Sequence, residues 1–484
     1  MRELYHRPAS ELAQLIRNNE ISSLELTQLF LSRIREKNSR LNSVVLVMEE
    51  DALRVARSCD EELGLGQLRG PFHGVPITIK ESFDIAGQPT TANFRRFKDN
   101  IAQADSLPVA RMRAAGAVIL GKTNVPTLLA DIQTQGDLFP RANNPYDLAR
   151  TTGGSTGGGA AALAAGLSAL EIGSDIGGSI RTPANFCGVY GLKPTENAYP
   201  QLGQVPPAPG SRGGVMHMAS FGPLARSVED LRLAFEVLRA PEPRYGKLAP
   251  IAWQAPSERG LAGLSIAWAD SLGADSAGSE VKQALGSLMA SAARAGARTT
   301  RISPLKLDME AVFEAWATLF AAIAAQDLSF FLRLGLQLYY RFFSGLKEGR
   351  HAARGASGNL KAYSRALRTG QESRALMQDF FTQYDCWVTP VAMGPAFLHS
   401  KSGKKIALDG QELNYYHYVL PFTVLQNLTG IPSVVIPAGQ SKEGLPIGLQ
   451  ISGPLYSEPE LLHIASLLAS LTPGFQPPAE GAAS

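Results

Sequence analysis

Two serines and a lysine stand where their side chains could support nucleophilic chemistry. Ser155 lies in "TTGGSTGGGAAALAAG", Thr151 to Gly166, which holds a literal G-x-S-x-G. Ser179 follows 24 positions later in "GSDIGGSIR", and Lys80 ends the largely apolar run "GVPITIK". A G-x-S-x-G suggests the strained elbow of an α/β-hydrolase, whose serine needs a later histidine and an acid. His217, His351, His399, His417 and His463 qualify by position, but no local context singles one out. The glycines ahead of an alanine-rich helix equally suit a phosphate cradle. Gly116 to Thr123 even matches G-x-x-x-x-G-K-[ST], yet its middle Ala-Val-Ile-Leu reads as a buried strand, so no nucleotide site is expected there. No H-E-x-x-H or C-x-x-C pattern calls for a metal.

The 484 residues are 45% hydrophobic and 18% charged, a globular composition with room for a large core. A net charge of +3, without a basic stripe interleaved with aromatics, argues against a nucleic-acid partner. Cys59, Cys187 and Cys386, odd in number and far apart, suit a reducing compartment rather than a disulfide framework. The polar N-terminus and the absence of a long apolar run lead to the expectation of a cytoplasmic protein without a transmembrane segment.

The elements that must position these residues follow from pattern. Two helices open the chain, the second behind a Ser22-x-x-Glu25 capping box. Val75 to Ile79 reads as a buried strand delivering Lys80, and "AAGAVILG" as another. A helix begins at Gly157, whereas "EIGSDIGGSIRTPANFCGVYGLKPT" is rich enough in Gly, Ser and Pro to read as a shaped loop, covered by a Pro/Gly-rich stretch from 200 to 214. Residues 305–385 turn helical. "GIPSVVIPAG" and "GLPIGLQISGP" form two strands about a turn, and a last helix, Glu458 to Leu471, precedes a flexible tail at 473–484. The periodicity of "DLSFFLRLGLQLYYRFFSG" predicts a core-facing helix. The alternative is the wall of an apolar substrate channel, or a patch resting on a membrane.

Taken in order, "GVPITIKESFDIAG", "GKTNVP", "GGSTGGGAAALAAGLSALEIGSDIGGSIRTPANFCGVYGLKPT" and "LTGIPSVVIPAG…GLPIGLQISGP" resemble the amidase signature family. The resemblance runs from the first helices to the last strands and is weakest between about 240 and 380. It implies a single amidase domain over 1–484 with a partly helical insertion at about 240–385. The implied fold is α/β, a large mixed β-sheet core covered by helices on both faces. It implies Ser179 as nucleophile, Ser155 as bridging serine after a cis peptide, and Lys80 as base, without cofactor or metal. Backbone N–H groups of Ile176, Gly177 and Gly178 would form the oxyanion hole, with Leu129 contacting substrate through its backbone.

The implied activity is hydrolysis of linear carboxamides, with apolar aryl or fatty acyl amides favoured and esters or carbamates as related substrates. The partner is then a small-molecule amide, and a homodimer or peripheral membrane contact stays open. Thr156 stands where many members have Ser or Gly, but it keeps a hydroxyl. "ENAYPQLGQVPPAPGSRGG" departs from the A-type subunit of tRNA-dependent amidotransferases, which releases ammonia from glutamine for a partner enzyme. The alternatives are that A-type subunit or a non-catalytic assembly subunit. For Lys80 to act as a base it must be neutral, so Glu81 and Asp84 must point away. Asp175 and Arg181 read as an ion pair stiffening the loop rather than as reactants.

Overall fold

Three strands that frame the reactive residues, Pro76–Lys80, Val118–Thr123 and Glu171–Asp175, are buried at every position. Side chains alternate between the faces of a strand, so burial throughout means that both faces are covered. The computed structural model describes residues 3–209, 217–240, 251, 253–304 and 306–479. Its large sheet contains, in chain order, β1 (Val44–Val47), β2 (Pro76–Lys80), β3 (Val118–Thr123), β4 (Glu171–Asp175), β5 (Tyr190–Lys193), β6 (Ser220–Ala225), β7 (Ser265–Trp268), β8 (Arg298–Arg301), β9 (Cys386–Pro390), β10 (Ser433–Gln440) and β11 (Pro446–Ser452). Across the sheet the order is β1-β3-β2-β4-β6-β5-β10-β11-β9-β7-β8. The pairs β2–β3, β2–β4, β7–β8 and β7–β9 are parallel. The remaining neighbours are antiparallel, which makes this the mixed sheet expected.

The helices include α1 (Ala9–Arg17), α2 (Ser23–Leu41), α3 (Gly157–Ala164), α4 (Arg181–Phe186), α5 (Met309–Ala325), α6 (Phe330–Phe342), α7 (Gly349–Ala356), α8 (Leu360–Phe380), α9 (Leu420–Thr429) and α10 (Glu458–Ala469). Helix α2 starts at the anticipated capping box: Ser22 Oγ accepts the Glu25 N–H, and the Glu25 carboxylate accepts the Ser22 N–H. Helix α3 is Gly and Ala apart from Leu163 and is wholly buried, its small side chains admitting neighbouring backbone. Between β10 and β11 the Ser441 N–H donates to Leu445 O, with Gly444 at φ 78° in the left-handed region.

Two expectations are corrected. The segment read as one shaped loop, Glu171 to Thr195, contains β4, α4 and β5. Its small residues answer to packing rather than disorder. A Cβ at Gly173 would stand 2.7 Å from Thr156 Cγ2, and one at Gly191 would stand 3.0 Å from Ala184 Cβ. The predicted core-facing helix, α6, contains no buried residue. Helix α5 already fills that part of the core through Val312, Phe313, Trp316 and Leu319. Helix α7 packs on α5, and α6 packs on α7 as an outer layer. In the stretch read as a tail, Phe475 is buried and the Tyr146 hydroxyl donates to Gln476 O, while 480–484 lie outside the described residues. Residues 210–214 of the Pro/Gly-rich stretch lie outside them too.

Ser22→Ala removes the side-chain half of the α2 cap and should lower stability by about 1 kcal/mol. A denaturant titration would read this as a lower midpoint with an unchanged slope.

Candidate active site

Strand β2 carries Lys80 into the interior on a run of apolar neighbours, Val75, Ile77 and Ile79, all fully buried. The lysine itself is fully buried. Its Nζ lies 2.8 Å from Ser155 Oγ, 3.0 Å from Ser174 Oγ and 3.3 Å from Ser174 O. Burial pushes the amine down to about 7, against the pull of Asp175 and Glu171.

Each nearby acid is engaged elsewhere. Glu81 accepts from the Thr91 N–H at 2.7 Å and the Thr91 hydroxyl at 2.8 Å. Burial raises its carboxyl, which faces Lys122, as does Asp84. Both therefore point away from Lys80, as required. Glu171 accepts from Thr78 Oγ1 at 2.5 Å and Thr123 Oγ1 at 2.6 Å, and burial pushes it up to about 7. Burial alone would raise Asp175 as well, but the Arg181 guanidinium beside it holds it well below the usual carboxylate range. The two meet at 3.0 Å, both fully buried.

Ser155 and Ser179 lie on separate loops joined where the Thr156 N–H donates to Ser179 O at 3.1 Å. The Gly154–Ser155 peptide is cis, as the resemblance implies. Ser179, at 8% exposure, is the most accessible of the three candidate residues, Ser155 and Lys80 being at 1% and 0%. Asp175 shapes the turn that presents it, accepting from the N–H groups of Gly178 at 2.9 Å, Ile180 at 3.1 Å and Arg181 at 3.3 Å. Gly178, expected among the oxyanion donors, thus has its N–H bonded to the Asp175 carboxylate. Ile176, Gly177 and Ser179 hold no such backbone N–H bond among the described residues. The carbonyls of the turn are fixed from outside. Trp316 Nε1 donates to Ile176 O and Thr423 Oγ1 to Gly177 O, both at 2.9 Å. A trans peptide directs its N–H opposite its C=O, so the Trp316 bond orients the Gly177 N–H. A Cβ at Gly177 would stand 2.9 Å from Trp316 Cζ2, which explains the glycine.

Leu129 ends a short turn, Thr127–Leu129, and is left-handed at φ 62°. Its chain continues onto the Ser155 loop: a Cβ at Gly154 would stand 2.4 Å from Asp131 O, and Thr134 Oγ1 donates to Gly153 O at 2.8 Å. No candidate histidine bonds either serine. His399 faces Asn143, His351 faces Glu314, His417 lies between Glu348 and Asp275, His463 bonds Arg259 O, and the His217 ring lies tilted beside Tyr363. The hydrolase-elbow reading of Ser155 therefore gives way to a serine bonded to lysine. Lys122, from the phosphate-loop look-alike, belongs to β3 and donates to Pro89 O and Thr90 Oγ1. Among the described residues no His, Cys, Asp or Glu cluster could hold a metal, and no helix is long and apolar enough to cross a membrane. Sequence reasoning missed Ser174, Glu171, Trp316 and Thr423. The first two lay in a segment read as loop, and the others reach the turn through hydrogen bonds across long stretches of sequence.

A sequence model of the Amidase family matches residues 25–462. The chain is 30% identical to the indoleacetamide hydrolase of Bradyrhizobium diazoefficiens, covering 95% of this chain and 85% of that one. It is also 30% identical to the A-type subunit of the glutamyl-tRNA(Gln) amidotransferase of Alkaliphilus metalliredigens, covering 91% of each. It superposes on a 6-aminohexanoate cyclic dimer hydrolase in complex with substrate with a TM-score of 0.81, at 25% identity over 99% of both chains. The chain belongs to the amidase signature family. It is accordingly an enzyme acting on the carbon–nitrogen bond of amides.

Arg181→Met would strip the guanidinium from Asp175 and leave a buried carboxylate uncompensated. The expected loss of stability is about 3–5 kcal/mol, read as a lower urea midpoint.

Proposed function

We propose that the chain hydrolyses linear carboxamides through an acyl-enzyme on Ser179, with Ser155 and Lys80 relaying protons. The observation that carries this reading is the 2.8 Å contact between Lys80 Nζ and Ser155 Oγ, both buried. A neutral amine has two N–H bonds and one lone pair. Directing the N–H bonds at Ser174 O and Oγ leaves the lone pair for the Ser155 proton. Ser179 Oγ then attacks the substrate carbonyl carbon and passes its proton to Ser155, which passes its own to Lys80. The carbonyl oxygen takes on negative charge opposite the N–H groups of Ile176, Gly177 and Ser179. Collapse breaks the C–N bond, and the departing amine takes a proton from Ser155, replenished by Lys80. Water repeats the relay on the acyl ester, so amide and water become acid and amine.

The substrate class we favour is an apolar amide, aryl or fatty acyl, with esters and carbamates as lesser substrates. The similarity to a hydrolase named for indoleacetamide supports the aryl form. Equal identity to the A-type component of an amidotransferase favours a second reading, release of ammonia from glutamine for a partner enzyme. A ladder of primary amides and anilides of increasing acyl size, run beside glutamine, separates the two. Rising kcat/KM with acyl size supports the first, and glutamine as the best substrate would replace it with the second.

Ser179→Ala should abolish turnover and fluorophosphonate labelling of the intact chain, whereas Lys80→Met should lower kcat by about 10²–10⁴-fold. A lysine pushed down by burial is basic only above its own pKa. Wild-type kcat/KM should therefore rise with pH and level off above about 7 rather than near 10.5. An acid limb at the ordinary lysine value would exclude Lys80 as the base.

Trp316→Phe removes the donor that holds Ile176 O. We expect a fall in kcat with KM nearly unchanged, smaller than the roughly 10²–10³-fold typical of losing an oxyanion donor outright. A change confined to KM would assign Trp316 to substrate packing instead.

A further inference from the structure

Helix α6 presents an apolar surface to the outside. Leu336 and Tyr340 turn toward the protein and pack against the core. The opposite line, Phe331, Gly335, Leu338 and Phe342, follows the four-, three- and four-residue steps of one helical face. Phe331 is 80% exposed, Phe330 73%, Phe342 65% and, just past the helix, Phe343 76%. Neighbouring exposed side chains of this kind form a contiguous patch, which on a soluble surface marks an interaction site.

Charge identifies what covers it. Between residues 328 and 370 the sequence has eight Lys or Arg and a single acid, Glu348, in a chain whose whole net charge is only +3. Glu348 is buried against His417 and unavailable to the surface. None of the eight cations is ion-paired among the described residues. Arg341 lies over the Phe342 ring at 5.4 Å, within the apolar patch itself. Arg350 and Arg354 are exposed one turn apart on α7, the helix on which α6 rests. Lys361, Arg365 and Arg368 are exposed on one side of the first turns of α8. A Cβ at Gly358 would lie 3.6 Å from the Arg333 guanidinium, so the turn between α7 and α8 borders the start of α6. Leu360, two residues on, is itself exposed.

We infer that α6 and its basic surround form a docking surface for an anionic lipid bilayer. Aromatic and leucine side chains would enter the region between head groups and acyl chains, while the ring of cations meets the anionic head groups. A second copy of the chain would suit the apolar face but would bring two cationic surrounds together, which electrostatics opposes. The placement is independent of the catalytic proposal. Binding can be measured without any substrate.

The test is flotation of the full chain with phosphatidylcholine vesicles, alone or containing phosphatidylglycerol, at low and high salt. The variants are Phe331→Ser/Phe342→Ser/Phe343→Ser and Arg350→Glu/Arg354→Glu, all at exposed positions, with folding verified by circular dichroism. We expect flotation with the phosphatidylglycerol vesicles, weakened by salt, and a fall of at least about tenfold in partitioning for the aromatic variant. The charge variant should bind more weakly only to the anionic vesicles. Failure to float with phosphatidylglycerol vesicles at low salt would overturn the inference. So would equal binding to phosphatidylcholine alone, or an aromatic variant that binds like the parent. Light scattering supplies the remaining outcome: a dimer that the aromatic substitutions dissociate would overturn it by assigning the patch to a second copy.

Discussion

A lysine can accept a serine proton only while it carries no charge, and the surroundings of Lys80 are organised around that condition. Burial supplies the driving force, because an ammonium taken from water without a matching carboxylate is disfavoured. Acids nevertheless stand close by, Glu81 and Asp84 in sequence and Glu171 and Asp175 through the fold. Any of them paired with Lys80 would restore the charge. Two threonine hydroxyls take the Glu171 oxygens, Arg181 takes Asp175, and Thr91 with Lys122 draws Glu81 the other way. These networks keep negative charge satisfied at a distance from the Lys80 amine.

The other buried lysines show why burial alone is insufficient. Lys122 and Lys193 are fully buried too, and burial pushes them down to about 8 and about 7. Among the described residues Lys193 donates to the carbonyls of Pro194 and Ile431, and Lys122 to Pro89 O and one threonine hydroxyl. A carbonyl accepts a hydrogen bond but has no proton to hand on. What distinguishes Lys80 is a serine hydroxyl whose loop is tied by backbone to that of a second, more accessible serine. In the proposed mechanism it is the identity of the partner that sets Lys80 apart, with the lowered basicity as a shared background.

Much of this was legible in the chain itself. Periodicity located β2, β3, β10 and β11, and a two-residue cap located the start of α2, because such signals are local. Lys80, Ser155 and Ser179 stood out by type and spacing, and the resemblance supplied their order. The segment from Glu171 to Thr195 misled because glycine has two uses. At Gly173 and Gly191 it makes room for a neighbour within regular structure, whereas at Gly178, with φ 109°, it permits a turn. Composition alone does not separate these uses. Helix α6 misled for a related reason: an apolar stripe shows that something is covered but not what covers it.

The inward rotation of the Gly178 amide illustrates how a buried salt bridge reaches the chemistry without touching substrate. Asp175 directs one oxygen to Arg181 and Gly178 together and the other to Ile180 and the arginine backbone and side chain. That fixes the turn from below, while Trp316 on α5 and Thr423 on α9 fix its carbonyls from the sides. Asp175 beside the turn and two helices distant from it in sequence thus hold Ile176, Gly177, Gly178, Ile180 and Arg181, leaving little freedom in where the Gly177 N–H points. In the proposed mechanism such donors must already be aimed when charge develops, since reorganising them during the reaction would consume the stabilisation they provide. Helix α5 belongs to the region where the family resemblance is weakest, yet it holds one side of the turn. Helix α5 is therefore a structural partner of the turn, and a change in how it packs can reach the Gly177 N–H through a single indole.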